Sequence, residues 1–156
     1  MAQQLWLLRH GEAEPHGSRT DAERRLTERG EAQSRAAGVA LARLQLPIHQ
    51  IFASPKVRAW DTARLAAEAI GLDVVEHAQL ADGFDADEAL VLAAAGEADE
   101  RVLVVGHNPD FEQVVYDLTG ARVELRKGAL AGVRLRGAEG ELMALLQPRE
   151  LALLAR

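Results

Sequence analysis

The sequence contains no cysteine, which removes disulfides, thiolate metal sites and cysteine nucleophiles and leaves the redox compartment open. Long hydrophobic runs are missing as well. The first apolar segment ends at Leu8 and follows Met-Ala-Gln-Gln, which carries no positive charge; this is too short for a signal peptide or a membrane span, so a cytoplasmic location is expected. There is no basic excess. A formal net charge of -6 argues against nucleic acid or an anionic membrane as a partner, and any anionic substrate must then be drawn by a local cluster. Neither Gly-x-x-x-x-Gly-Lys-Ser/Thr nor Gly-x-Gly-x-x-Gly occurs, which excludes the usual nucleotide loops, and no His-Glu-x-x-His spacing points to zinc. No cofactor and no metal are expected. With no linker, repeat or low-complexity tract, the 156 residues read as one domain spanning 1–156.

What is present is a set of short apolar runs that stop abruptly. Leu5 to Leu8 read as a strand buried on both faces that ends on Arg9, His10 and Gly11, the glycine allowing a sharp turn. A polar loop follows over 13–25. Thr27 caps a helix to about Leu44, and Ile48 to Ala53 form a second strand. Ser54 then serves as a helix cap with Pro55 at the first helical position, which puts Arg58 in the first turn of a helix that stops at Gly71. Val74 and Val75 make a weak strand, 81–87 an acidic loop, and Asp87 caps a short helix to Ala95. Arg101 to Val105 repeat the opening pattern, ending on Gly106, His107, Asn108 and Pro109, where Asn108 and Pro109 start another helix that stops at Gly120. Residues 129–135 and 141–146 look like a hairpin. This alternation predicts an α/β fold, a three-layer α/β/α sandwich with a mostly parallel central sheet.

In such sheets ligands bind beyond the carboxyl ends of the strands, so residues at those ends converge however far apart they lie in sequence. Three ends carry Arg9 with His10, Arg58, and His107. Two guanidinium groups, two imidazoles and a helix N-terminus make a site for a tetrahedral dianion such as phosphate. At an effective dielectric near 20, a cation about 4 Å from one phosphate charge contributes roughly 4 kcal/mol before desolvation. Taken singly, each residue has an ordinary reading: Arg58 as an exposed helix residue, His107 as a hydrogen-bonded core histidine. His16, His49 and His77 end no buried strand, and Lys56 reads as an exposed helix residue.

Four stretches occur together and in order: Leu8-Arg9-His10-Gly11-Glu12, Leu26-Thr27-x-x-Gly30, Ser54-Pro55-x-x-Arg58-Ala59-x-x-Thr62-Ala63 and Val105-Gly106-His107-Asn108-Pro109. Over residues 5 to about 135 the chain resembles the histidine phosphatase superfamily, also called phosphoglycerate-mutase-like, and among its branches the SixA-type phosphohistidine phosphatases. The resemblance implies that His10 is a nucleophile that becomes phosphorylated and that Arg9, Arg58 and His107 hold the phosphoryl oxygens. It also implies a sheet with the fourth strand between the first and second. The expected activity is metal-independent phosphatase action on a phosphorylated protein carrying phosphohistidine; the alternatives are a small phosphorylated metabolite as substrate of a phosphomonoesterase or mutase, and an inactive phosphate-binding module.

Two positions stay open. SixA-type chains commonly show Asp-x-x-Arg-Pro-Leu-Thr where this one has Asp21-Ala22-Glu23-Arg24-Arg25-Leu26-Thr27, which makes Arg24 a candidate substrate contact without the proline that would aim it. Sugar-phosphate members carry a glutamate after the third strand as general acid. The nearest carboxylate here is Asp82, followed by Asp85.

Overall fold

The computed structural model describes residues 3–156. Its strands are β1 (Gln3–Arg9), β2 (Gln50–Ala53), β3 (Val74–Glu76), β4 (Arg101–Gly106), β5 (Leu130–Arg136) and β6 (Glu139–Leu146). The helices are α1 (Glu28–Arg43), α2 (Val57–Ile70), α3 (Ala86–Ala93), α4 (Asp110–Thr119) and α5 (Pro148–Leu154). All strands join one sheet in the order β3-β2-β4-β1-β5-β6, in which β5 alone runs against the others, so that its pairings with β1 and β6 are antiparallel and the remaining pairings parallel. The expected α/β sandwich is found, with β4 between β1 and β2.

Because both faces of the central strands are covered, β1 and β4 are apolar without alternation. Leu5, Leu7, Val102 and Val104 face the layer of α3 and α4, whereas Trp6, Leu8, Leu103 and Val105 face α1, α2 and α5. The edge strand β6 instead alternates between exposed and half-buried residues.

Several boundaries differ from the sequence reading, each because a side chain has a tertiary partner. α2 begins at Val57 with Lys56 at the cap, since Ser54 is drawn toward His107. α4 begins at Asp110, because the Asn108 amide donates to Leu125 O rather than capping. The cap of α3 is Asp85, which accepts from Glu88 N–H, not Asp87. α5 has no counterpart in the sequence reading, although Gln147 and Glu150 form a capping box around Pro148.

Register fixes the site. Arg9 pairs with Gly106, His10 N–H donates to Gly106 O at 3.0 Å, and Ser54 N–H donates to Val105 O at 3.0 Å. The ends of β1, β4 and β2 are thereby locked level with one another.

Candidate active site

His10 leaves the end of β1 nearly buried, and its ring lies 5.3 Å from that of His107, centroid to centroid. Nδ1 of His10 is 2.7 Å from Gly11 O. A carbonyl can only accept, so Nδ1 carries the proton and the lone pair stands on Nε2. Burial pushes the imidazole down to about 3, aided by His107, Arg58 and Arg9 and opposed by the Gly11 bond. At neutral pH the ring is therefore an uncharged base with its free nitrogen fixed.

The other three predicted residues meet it. Arg9 donates through Nη1 to Leu125 O at 2.9 Å. Arg58 is buried in the first turn of α2, donating through Nη1 to Asp21 O at 2.6 Å and through Nη2 to Asp21 Oδ2 at 3.3 Å. Burial draws both guanidinium groups below their ordinary value; Glu112 opposes this at Arg9, and Asp21 at Arg58. His107, also lowered to about 3 by burial first and then by Arg58 and Lys56, has Nε2 2.8 Å from Ser54 Oγ.

Among the described residues, the buried side-chain nitrogens and oxygens without a hydrogen-bond partner are Arg9 Nε, Arg58 Nε, His107 Nδ1 and Asn108 Oδ1. All four belong to this edge. An unsatisfied buried polar group costs about 1–3 kcal/mol, so such a concentration marks a place organised for a ligand. Two of the four are cationic donors, which favours an anion rich in acceptors.

The mount under the quartet depends on residues outside it. Thr62, one turn beyond Arg58, accepts Gly11 N–H at 3.1 Å and donates to Arg58 O at 2.7 Å, tying the turn after His10 to α2. Gly11 has no left-handed φ; it is needed because a Cβ there would stand 2.5 Å from Gly30 O. Asp21 gathers three cations: Lys56 Nζ at 3.0 Å and Arg58 on Oδ2, and Arg24 Nη2 at 3.0 Å on Oδ1. The hydrogen bond from Lys56, with Arg24 and Arg58 beside it, holds the Asp21 carboxyl well below the usual range. Lys56 is thus pinned at the rim instead of projecting from a helix. Only the i+4 spacing of Thr62 from Arg58 was a local signal for any of these.

Arg24 is buried and spends its guanidinium on its own loop, with Nη1 2.7 Å from Glu14 O and Nε and Nη2 on Asp21 Oδ1. Asp82 is exposed in the connection from β3 to α3 and makes no side-chain hydrogen bond or ion pair among the described residues. That connection runs beside the end of β4, since Leu80 O would lie 3.4 Å from a Cβ on Gly106. His77 pairs at 2.8 Å with Glu88, outside the quartet.

The carboxyl edge of this doubly wound α/β sheet gathers two uncharged imidazoles and two buried guanidinium groups whose Nε atoms lack partners, a set of groups suited to a phosphoryl anion. The chain belongs to the histidine phosphatase superfamily (branch 1), whose family model matches residues 5–91. That span includes Arg9, His10, Arg58 and Asp82 but ends before β4 and His107. An uncharacterized protein of Picosynechococcus sp. is 28% identical, over 95% of this chain and 98% of its own. Among solved structures, the protein histidine phosphatase SixA complexed with tungstate superposes with a TM-score of 0.83 at 23% identity, covering 95% of this chain and 99% of that one. A putative phosphohistidine phosphatase SixA from Nakamurella multipartitia gives 0.73 at 28%, covering 95% and 97%. A putative alpha-ribazole-5'-P phosphatase from Escherichia coli gives 0.78 at 18%, covering 95% and 98%.

Proposed function

We propose that this chain is a metal-independent phosphatase that uses His10 as nucleophile and removes phosphate from phosphohistidine on a protein. The observation that carries the catalytic part is the His10 Nδ1–H bond to Gly11 O, which leaves an uncharged Nε2 beside donors that lack partners. In the first displacement the Nε2 lone pair attacks phosphorus in line; the N–P bond forms, and the bond to the leaving group breaks, the leaving group taking its electron pair. In the second, water oxygen attacks phosphorus, the N–P electrons return to Nε2, and the proton of water passes to the departing phosphate. Arg9, Arg58 and His107 Nδ1 stabilise charge on the equatorial oxygens in both steps, the part a metal ion plays elsewhere. Among the described residues no group of three or more histidine, aspartate or glutamate side chains is placed to hold a metal.

The substrate reading rests on shape and leaving-group chemistry. β4 passes to α4 through residues 107–109 alone, and the longer loop 13–25 is strapped to Arg58 and Lys56 through Asp21. A strand edge with no large insertion between β4 and α4 suits a side chain presented by a partner protein. A phosphorylated imidazole protonated on its other nitrogen leaves neutral and needs little acid assistance, which accords with Asp82 being solvated; we assign Asp82 as general acid only for alkoxide leaving groups. Arg24, engaged with Asp21 and Glu14, shapes the loop, and a direct substrate contact would use the N–H bonds left on Nη1 and Nη2. The likeness to a putative alpha-ribazole-5'-P phosphatase keeps a small phosphorylated metabolite as the second reading.

One experiment tests both parts. Brief exposure to labelled phosphohistidine protein should leave acid-labile, base-stable phosphate that His10→Ala abolishes, and kcat/KM should exceed that for sugar phosphates and an aryl phosphate. Label persisting in the alanine variant would reject the nucleophile, and a preference for sugar phosphates would reject the substrate.

A further inference from the structure

The hydroxyl of Ser54 is fully buried between the end of β2 and His107. Its oxygen accepts Lys56 N–H at 3.2 Å, and its one proton then needs an acceptor. His107 Nε2, at 2.8 Å, is the only acceptor within reach of it among the described residues. We infer that Ser54 is a positioning residue whose hydroxyl donates to His107 Nε2 and so holds the imidazole proton on Nδ1, the nitrogen offered to the phosphoryl group.

The consequence follows from the two tautomers of an uncharged ring. His107, lowered to about 3, carries one proton at neutral pH, and the partner of one nitrogen decides whether the other donates or accepts. With Nε2 occupied as an acceptor, Nδ1 is N–H, and Nδ1 is the ring atom without a partner in the protein. With the proton on Nε2, a lone pair at Nδ1 would face the negative oxygens it has to stabilise. Ser54 therefore acts on charge without touching substrate. The small turn at Ser54-Pro55-Lys56, which delays α2 until Val57, is what brings its oxygen to the ring.

This role in catalysis rests on the proposed phosphatase reading, while the tautomer can be measured without it. In histidine-labelled protein at neutral pH, nitrogen-proton correlations should show His107, identified by its loss in His107→Gln, with the proton on Nδ1. Ser54→Ala should shift the population toward Nε2–H and lower kcat/KM about 10- to 100-fold, mainly in kcat, and Ser54→Thr should restore both. An Nε2–H signal in the native protein overturns the inference, even if the alanine variant does not fold. An unchanged tautomer in Ser54→Ala overturns it too, as does a changed tautomer with undiminished kcat. A native protein with no phosphatase activity would instead overturn the proposed function and leave the tautomer assignment standing.

Discussion

Asp21 grips Arg58 twice, accepting Nη1 on its backbone oxygen at 2.6 Å and Nη2 on its carboxylate at 3.3 Å, so a residue of the first loop aims a guanidinium of the second helix. The carboxylate also competes with any anion that Arg58 would bind. Asp21→Asn should therefore tighten inhibition by inorganic phosphate a few-fold, because one negative charge leaves the rim, while kcat falls as Arg58 loses its aim. Inhibition constants and kcat measured on one substrate check both signs. If neither moves, the contact is an ordinary partly exposed ion pair worth about 0–1 kcal/mol.

Gly11 and Gly30 approach so closely that neither position has room for a methyl group, since a Cβ on Gly30 would run into Glu12 O. Gly30→Ala must push α1 away from the turn that carries His10. A loss of roughly 1–3 kcal/mol in urea unfolding is expected, with phosphatase activity falling further than stability because the proposed nucleophile, His10, is displaced. Native activity in a destabilised Gly30→Ala would show that the turn holds its shape without α1.

Stability should fall with acidification earlier than carboxylate titration alone would cause. The fold keeps His10 and His107 uncharged down to about 3, whereas in the unfolded chain both take up protons below about 6.5. Between those values the unfolded state binds more protons, so unfolding free energy drops as pH falls, with a slope that approaches roughly 1.4 kcal/mol per pH unit for each histidine toward pH 5. Urea midpoints from pH 6.5 to 5 should show this slope, and replacing both histidines by glutamine should flatten it. A flat native profile over that range would mean the rings are less buried than the fold implies.

Asp82 offers a contrast between substrates. An alkoxide leaving group needs a proton, a contribution of roughly 10² to 10⁴ in rate, so Asp82→Asn should depress phosphomonoester hydrolysis strongly and leave phosphohistidine turnover nearly intact. Equal losses on both would point to a structural role, and no loss on either would return Asp82 to the solvated loop.

Much of the site could be read from the sequence because buried parallel strands are apolar throughout and end sharply. β1 stops on Arg9 and His10 and β4 on Gly106 and His107 for that reason, and Gly71 and Gly120 end their helices with left-handed φ, as local chemistry dictates. The departures share one cause. Ser54 and Asn108 look like helix caps but spend their polar atoms on His107 and on Leu125 O, partners 53 and 17 residues away. Asp21 lies 35 residues from Lys56 and 37 from Arg58, so no local pattern could join them. Gly11 reads in the sequence as the glycine of a sharp turn and is in the fold a contact surface against Gly30; the sequence holds both halves of that contact without revealing that they touch.

The strand order bears on how the chain assembles as it is made. β1 emerges first, yet both its neighbours, β4 and β5, come from residues 101–136, and β2 and β3 have no route to β1 except across β4. An emerging chain that stops at residue 91 holds Arg9, His10 and Arg58 but no sheet to mount them on. Ribosome-bound fragments should gain protease resistance only after the β5 segment has cleared the exit tunnel, so the candidate site and the native fold are completed in the same step.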